Sequence, residues 1–297
     1  MRVFVTGVAG QLGYDCVNEF KRRGHEVIGS DIKAGDGCLA IDITDAAAVE
    51  RVLKEVRPEA VVHCAAWTAV DMAEEEHNQN LVYKINVDGT ANIAKVCRVL
   101  DAKMLYISTD YVFDGQGEKP WEPDCKAYAP LNYYGATKLA GEQAVASTLT
   151  KYYIIRTAWA FGINGNNFIK TVLKLGKSSK TLRVVNDQVG TPTYTYDLAR
   201  LLSDMLASDK YGYYHATNEG GYISWYDFAC AIFKQAGLTT EVLPVTTAEY
   251  GFSKAARPLN SRLDKRKLAE QGFATLPDWQ DALRRYLEEI KDAGNKN

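Results

Sequence analysis

Short apolar runs alternate with longer amphipathic stretches through residues 1–160, and this alternation constrains the fold more than any other feature of the sequence. Strands that are apolar throughout and alternate with helices form a parallel sheet covered on both faces. The sequence therefore predicts an α/β fold with a doubly wound parallel sheet. The predicted strands are 2–6, 26–31, 38–42, 60–66, 103–109 and 152–157, and the predicted helices between them are 11–23, 46–56, 78–100 and 134–149.

The stretch "VTGVAGQLG" at 5–13 links the first predicted strand to the first predicted helix. Glycines at such a junction permit a tight turn, close approach of the backbone to a diphosphate and close helix packing. The spacing Gly-x-x-Gly-x-x-Gly differs from the commoner Gly-x-Gly-x-x-Gly, and a tight turn without a ligand is the alternative. Because the loop opens a run of βα units, we expect it to bind a dinucleotide through Gly7, Gly10, Gln11, Leu12 and Gly13.

Asp31 ends the second predicted strand, where an acid can accept hydrogen bonds from the ribose hydroxyls of an adenosine. This placement predicts that NADH is favoured over NADPH. Lys33 could relieve the repulsion of a 2′-phosphate, which keeps NADPH as a second cofactor. A strand-end aspartate that only caps a turn is the alternative. Asp42 and Ile43 are predicted at the adenine edge, and Ala65 and Ala66 are small enough for the cofactor to lie against their backbone.

The βα rhythm loosens after residue 160, where glycine, asparagine and proline interrupt the pattern. Helices are predicted at 168–176, 196–207, 224–236 and 278–292. We expect an NAD(P)-binding Rossmann domain over 1–160 and a smaller, mixed α/β substrate-binding lobe over 161–297. The boundary is soft, because the chain can cross back into the first domain.

Composition excludes several classes of function. A net charge of −2 gives no basic surface for nucleic acid or an anionic membrane. The start of the chain has no signal-peptide pattern, and no apolar run reaches membrane length, so we expect a cytoplasmic protein. The four histidines and six cysteines lack metal-ligand spacing, so no metal site is predicted.

The pattern Tyr-x-x-x-Lys occurs twice, as Tyr134/Lys138 and Tyr250/Lys254. The first pair follows the predicted strand that ends at Thr109, at the sheet edge where doubly wound folds place their sites. One helical turn brings Lys138 to the face of Tyr134, where a cation would lower the pKa of the phenol. Thr109, Tyr134 and Lys138 are therefore the predicted catalytic residues for carbonyl reduction, and Tyr134 and Lys138 would also contact the cofactor. An exposed Tyr–Lys helix pair is the alternative.

These residues resemble the signature of the extended short-chain dehydrogenases/reductases. Further stretches are similar to the dTDP-4-dehydrorhamnose reductase family within that group: "AAWTAVDMAEEE" (65–76), "STDYVFDG" (108–115), "PLNYYGATKLAGE" (130–142), "RTAWAFG" (156–162), "NNFIKT" (166–171), "NDQVGTPT" (186–193), "RPLNSRLD" (257–264) and "PDWQDAL" (277–283). The similarity runs from residue 1 to about residue 290. It implies reduction by NADH or NADPH of the C4 ketone of dTDP-4-dehydro-L-rhamnose, which gives dTDP-L-rhamnose.

The resemblance also implies substrate contacts. Trp159 matches an aromatic wall beside the sugar, with a packed core tryptophan as the alternative. Arg257 would contact the nucleotide diphosphate, assisted by Asn260 and Ser261, although a surface arginine is the alternative. Thr109 would bind the substrate oxygen.

The resemblance also bears on whether a divalent metal ion is bound besides the nucleotide. Some members of the family bind a divalent ion through glutamates at a dimer contact. Here the corresponding positions read Asp15 and Tyr196-Asp197, so Mg²⁺ is an alternative that the sequence does not favour. Both a monomer and a homodimer stay open.

Two other functions stay open at this point. One is a reductase or epimerase of another nucleotide sugar, and an epimerase would keep its NAD tightly bound. The other is a non-catalytic regulatory subunit on the same fold, which would tolerate loss of the tyrosine or the lysine. Both Tyr134 and Lys138 are present, which favours an enzyme.

Overall fold

The computed structural model describes residues 1–35 and 37–294. Its strands are β1 (Arg2–Thr6), β2 (Glu26–Asp31), β3 (Cys38–Ala40), β4 (Ala60–His63), β5 (Lys103–Thr109), β6 (Tyr152–Thr157), β7 (Ala160–Phe161), β8 (Thr181–Val185), β9 (Val189–Gly190), β10 (Thr193–Tyr194), β11 (Gly212–His215), β12 (Ile223–Ser224) and β13 (Glu241–Val245). Its helices are α1 (Gln11–Arg22), α2 (Ala46–Val56), α3 (Val70–Ala73), α4 (Glu76–Tyr83), α5 (Thr90–Leu100), α6 (Tyr133–Thr148), α7 (Phe168–Gly176), α8 (Thr195–Leu206), α9 (Trp225–Ala236), α10 (Thr247–Tyr250), α11 (Arg266–Glu270) and α12 (Trp279–Gly294).

Seven strands form one parallel sheet in the order β11-β6-β5-β4-β1-β2-β3. The chain moves outward from β1 to β3 on one side and from β4 to β6 on the other. The strand order therefore reverses between β1 and β4, where the carboxyl ends of neighbouring strands open a crevice. The predicted doubly wound α/β fold is confirmed.

Alternate residues of each central strand pack against opposite helix layers. Val3 and Val5 of β1 lie in a cluster with Phe20 of α1 and residues of α8. Phe4, between them, lies in a second cluster with Leu53 of α2 and residues of α5. Both faces are thus buried, which explains why the middle of β1 is apolar at successive positions.

Most predicted helix ends differ from the structure by one or two residues, and two strand ends and one long helix are also wrong. β3 ends at Ala40 rather than residue 42, and β4 ends at His63 rather than residue 66. The pairing of β4 with β1 stops at Thr6↔His63, the last residue of β1, and its pairing with β5 stops at His63↔Tyr106. The helix predicted over 78–100 is α4 and α5 joined by a π-helical segment, Lys84–Gly89. Its residue Asn86 binds the loop after β4 through the amide of Trp67 (2.8 Å).

The later part of the chain builds a second core and also returns to the first. Three two-stranded sheets and the helices α7, α9 and α12 surround a cluster that includes Phe161, Phe228 and Tyr286. In contrast, β11 pairs with β6 of the large sheet, and α8 packs on its face. The division at residue 160 stays a proposal. After that residue the chain contributes both to the second core and to the large sheet. Within the described residues, no helix has the length and apolar character needed to span a membrane.

Candidate active site

A cleft of about 840 Å³ opens at the carboxyl ends of the central strands. The predicted residues that line it are Gly7, Gly10, Gln11, Leu12, Gly13, Asp31, Asp42, Ile43, Ala65, Ala66, Thr109, Tyr134, Lys138 and Trp159. The structure thus brings these fourteen residues together, and the roles assigned to them stay predictions. Arg257, Asn260 and Ser261 are absent from the lining.

The loop between β1 and α1 has room for backbone only. Gly7 has a φ of +71°, and a Cβ there would lie 2.6 Å from the amide nitrogen of Ala65. A Cβ on Gly13 would lie 2.1 Å from the carbonyl oxygen of Gly7. Both contacts are shorter than side chains tolerate, so these glycines let the loop after β1, the start of α1 and the segment after β4 approach one another closely.

The N-terminus of α1 lies in this cleft without a side-chain cap. Its N-cap residue is Gly10, whereas α2, α6 and α7 are capped by the side chains of Asp45, Asn132 and Asn167. The first amides of a helix have no partners within the helix, and the positive end of the helix dipole adds to their attraction for anions. The residues present therefore fit a dinucleotide diphosphate.

Asp31 lies at the rim of the same loop. Its carboxylate accepts hydrogen bonds from the amides of Ala9 (2.9 Å) and Ile32 (2.8 Å), which leaves acceptor sites for hydroxyl groups in the cleft. Lys33 is exposed and does not line the cleft. Asp42 closes a turn by accepting from the amide and hydroxyl of Thr44 (2.9 and 2.8 Å).

Gln11 has a contact that the sequence did not reveal. Its side-chain oxygen accepts hydrogen bonds from the amide of Gly162 (2.8 Å) and the side chain of Asn167 (3.0 Å). Nearby, the side chain of Asn164 donates to the carbonyl of Ala9 (2.7 Å). The glycine-rich loop is therefore attached directly to the segment that begins the second core.

Tyr134 and Lys138 lie on α6, which begins after the Asn132 cap. The ammonium of Lys138 donates to the carbonyl of Ile107 (2.7 Å) and lies 4.1 Å from the centre of the Tyr106 ring. Lys138 is only 3% exposed. Burial lowers its pKa to about 7, and Glu142 and Cys64 act in the opposite direction.

The phenol of Tyr134 behaves differently from our expectation. Burial raises its pKa above the ordinary value, Asp110 raises it further, and Thr109 opposes the rise. The structure does not support the predicted lowering by Lys138, because loss of hydration is the largest influence on this phenol. Tyr134 therefore keeps its proton at neutral pH, which is the state that a proton donor needs.

Two residues of the site were missed. Asp110 follows Thr109, accepts its hydroxyl hydrogen bond (3.0 Å) and lines the cleft. Burial raises the pKa of this carboxyl to about 6. Its position beside Thr109 in "STDY" was the available signal. Trp225 stacks on Trp159 with ring centres 3.7 Å apart, and nothing in the sequence joins these two distant residues.

Trp159 adopts a left-handed backbone conformation, with a φ of +51°. Such a conformation is strained for a bulky residue and is found mostly where the surroundings enforce it. Its ring is half-buried, lines the cleft and is covered by Trp225. These features fit a wall of the cleft better than the alternative of a packed core side chain.

Arg257 and Asn260 do not line the cleft. Arg257 pairs with Asp71 (2.7 Å) and donates to the hydroxyl of Tyr111 (3.2 Å), which does line the cleft. Asn260 is 1% exposed, and its side chain donates to the carbonyls of Gln116 and Lys119 (3.2 and 2.9 Å). The role of Asn260 as a substrate contact stays a prediction, and in this structure its amide holds a loop in place.

The positions considered for a divalent ion have protein partners. Asp15 accepts a hydrogen bond from the hydroxyl of Thr195, and Asp197 pairs with Arg285 (2.6 Å). Burial raises the pKa of Asp15 to about 6. Among residues 1–35 and 37–294, no three histidine, cysteine or acidic side chains form a group that could hold a metal ion.

Comparisons with known proteins extend over nearly the whole chain. The family model described as "RmlD substrate binding domain" matches residues 1–292. The spore coat polysaccharide biosynthesis protein SpsK of Bacillus subtilis (strain 168) is 40% identical, over 98% of this chain and 99% of SpsK. A dTDP-4-dehydrorhamnose reductase structure from Clostridium acetobutylicum ATCC 824 is 40% identical with a TM-score of 0.92, over 98% of this chain and 100% of that one. Another, from Bacillus anthracis str. Ames in complex with NADP, is 41% identical with a TM-score of 0.90, over 97% and 99% of the two chains.

Proposed function

This chain belongs to the RmlD substrate binding domain family, and from that premise we propose that it is an NAD(P)H-dependent dTDP-4-dehydrorhamnose reductase. It would reduce the C4 ketone of dTDP-4-dehydro-L-rhamnose to give dTDP-L-rhamnose. The two solved reductases that are 40% and 41% identical support this substrate class. The resemblance noted in the sequence is confirmed at the level of the family.

One observation carries the proposal most directly. Thr109, Tyr134 and Lys138 line the same cleft as the uncapped N-terminus of α1, so a bound dinucleotide and these side chains would share one enclosed space. When bound, the reduced nicotinamide supplies the hydride. A regulatory subunit would have no need of this arrangement.

The chain's own residues would divide the remaining work. The hydroxyl of Tyr134 would donate a hydrogen bond to the ketone oxygen and then release its proton to that oxygen. The hydroxyl of Thr109, which donates to Asp110 in the structure, would turn toward the ketone oxygen when the substrate is bound. The carbonyl of Ile107 holds the ammonium of Lys138 in place. In this position the ammonium would bind ribose hydroxyls and stabilise the phenolate left after proton transfer. Trp159 and Trp225 would form the wall beside the sugar and exclude water from it.

The choice of cofactor rests on Asp31. Its carboxylate is held by two amides at the cleft rim and carries a negative charge that a 2′-phosphate would meet. We propose that both cofactors are used and that NADH is favoured. The Bacillus anthracis relative in complex with NADP supports use of the phosphorylated cofactor within the family.

The test supplies the protein with dTDP-4-dehydro-L-rhamnose and either NADH or NADPH. We expect loss of the reduced cofactor's absorbance and formation of dTDP-L-rhamnose, identified by mass spectrometry and NMR. Conversion of another nucleotide sugar without net oxidation of cofactor would identify an epimerase instead. Cofactor binding without turnover of any dTDP-sugar would support the regulatory subunit.

A further inference from the structure

A buried ion pair lies behind the cleft and takes no part in the reaction proposed above. Arg156 and Glu142 are both 0% exposed. The guanidinium binds the carboxylate through two parallel bonds, from Nε to Oε1 (2.8 Å) and from Nη2 to Oε2 (2.7 Å). The rings of Phe113 and Tyr213 flank the guanidinium, each with its centre 4.9 Å away.

Stabilisation of the fold does not by itself account for the presence of this buried ion pair. The cost of removing two charges from water commonly matches or exceeds their attraction, and apolar replacements of buried pairs are often neutral or stabilising. We therefore expect a completely buried pair to serve a neighbouring group that depends on its charge.

That neighbour is Lys138. Glu142 follows it by one turn on the same face of α6, and the hydroxyl of Ser108 donates to Glu142 at 2.5 Å. Ser108 lies between Ile107, whose carbonyl accepts from Lys138, and Thr109, which lines the cleft. The Glu142 carboxylate thus binds Ser108, near the end of β5. On either side of Ser108, Ile107 accepts a hydrogen bond from Lys138 and Thr109 lines the cleft.

The charges around Lys138 are few. Burial disfavours its ammonium, and Glu142 and Cys64 are the groups that favour it. His63, on the adjoining strand, is buried with its pKa lowered to about 3, so it is uncharged. The phenols of Tyr106 and Tyr134 are neutral, because burial raises their pKa values. Glu142 is therefore the principal anion that acts on Lys138, and the Arg156 guanidinium bound to it offsets part of its charge.

We propose that the Glu142–Arg156 pair is a counter-charge device that keeps the Lys138 ammonium protonated and oriented toward the cleft. Arg156 fixes the carboxylate in its buried position, and Glu142 acts on Lys138 along the helix. Both are positioning residues, since neither lines the cleft. This inference rests on the proposed function only in giving Lys138 a role in reduction.

The test uses two variants that remove the carboxylate. Glu142→Gln keeps the shape of the side chain, and the double variant Glu142→Leu/Arg156→Met leaves no unpaired charge. Protein labelled with ¹³C at the lysine ε-carbon reports the titration of Lys138 by NMR, and Lys138→Met assigns the signal. The control is Glu19→Leu/Arg23→Met, which removes another largely buried carboxylate with a paired arginine, away from the cleft.

We expect the Lys138 titration to move toward lower pH by about one unit in a folded carboxylate-free variant and to stay in place in the control. The value of kcat/KM at pH 8 should fall by roughly tenfold and recover as the pH is lowered. An unchanged titration in either folded variant overturns the proposal. Failure of both variants to fold also overturns it, since the pair would then serve the core.

The NMR measurement needs no substrate. If the protein fails to reduce dTDP-4-dehydro-L-rhamnose, the proposed function fails while the titration still decides the role of the ion pair.

Discussion

The hydroxyl of Tyr134 is the single atom group on which the proposed chemistry depends most. Tyr134→Phe removes only this hydroxyl, so the ring can still pack edge-on against Tyr111, whose ring centre lies 5.8 Å away. We expect turnover to fall by roughly 10²–10⁴, the usual range for a general acid. Tyr133→Phe is the matched control, because its ring is turned about 100° away on the same helix and does not line the cleft.

The measurement is kcat for both variants with saturating cofactor, with folding checked by circular dichroism. Turnover near the wild-type value in Tyr134→Phe would remove this residue from the mechanism.

A second residue-scale prediction concerns Asp31. Replacement by Ala removes the negative charge that a 2′-phosphate would meet, together with the acceptors for ribose hydroxyls. We expect the ratio of kcat/KM for NADH to that for NADPH to fall by about tenfold or more. Asp42→Ala, at the neighbouring turn, should change this ratio much less. A wild-type enzyme that strongly prefers NADPH would contradict the role given to Asp31.

The junction of β1 and α1 sets a prediction at the scale of elements. In Gly13→Ala the new Cβ would lie 2.1 Å from the carbonyl of Gly7, so helix and loop must separate. We expect a loss of about 1–3 kcal/mol in the free energy of unfolding, as for other overpacked sites, and weaker cofactor binding. Gly35→Ala is the control, because its Cβ would meet nothing within 4 Å. Urea denaturation and isothermal titration with NADH measure both effects.

Helices α1 and α8 meet at Asp15, which accepts from Thr195. Its pKa rises from 3.8 to about 6 on folding, mainly through burial. The folded state thus holds this proton more tightly, and the resulting stability is lost as the pH rises through 6. Asp15→Asn should therefore be more stable than wild type above pH 6, by about 1–3 kcal/mol, with the difference vanishing near pH 4. Urea denaturation at pH 4 and pH 8 would refute this if the variant were less stable at both.

At the scale of the whole molecule, local signals explain what could be predicted. The glycine-rich loop and the Tyr134/Lys138 pair are each encoded within one short stretch, and the structure places both in the cleft. The stacking of Trp225 on Trp159 joins residues far apart in sequence, and the buried position of Asn260 depends on loops that it holds. Such contacts follow from the complete fold, which no local pattern specifies.

The return of β11 to the large sheet gives a prediction for fragments. A fragment of residues 1–160 would lack β11 and α8, leaving β6 as an open sheet edge and uncovering Phe20 and Tyr153. Open edges and uncovered apolar faces promote association. We expect this fragment to aggregate in size-exclusion chromatography, whereas the full chain should not. A monomeric fragment with a well-dispersed NMR spectrum would contradict this expectation.

The late position of β11 in the chain also sets the order in which the large sheet is completed during synthesis. The strand that closes the sheet edge beside β6 leaves the ribosome some fifty residues after β6 itself, at the pace of about 5–20 residues per second. For several seconds the nascent sheet has a free edge that another chain could pair with. The strands that flank the crevice, β1 and β4, are made well before that edge is closed, whereas Trp225 of the cleft wall is made only after β11. The glycine-rich loop is thus among the first parts of the cleft to be made, and the wall that Trp225 completes is among the last.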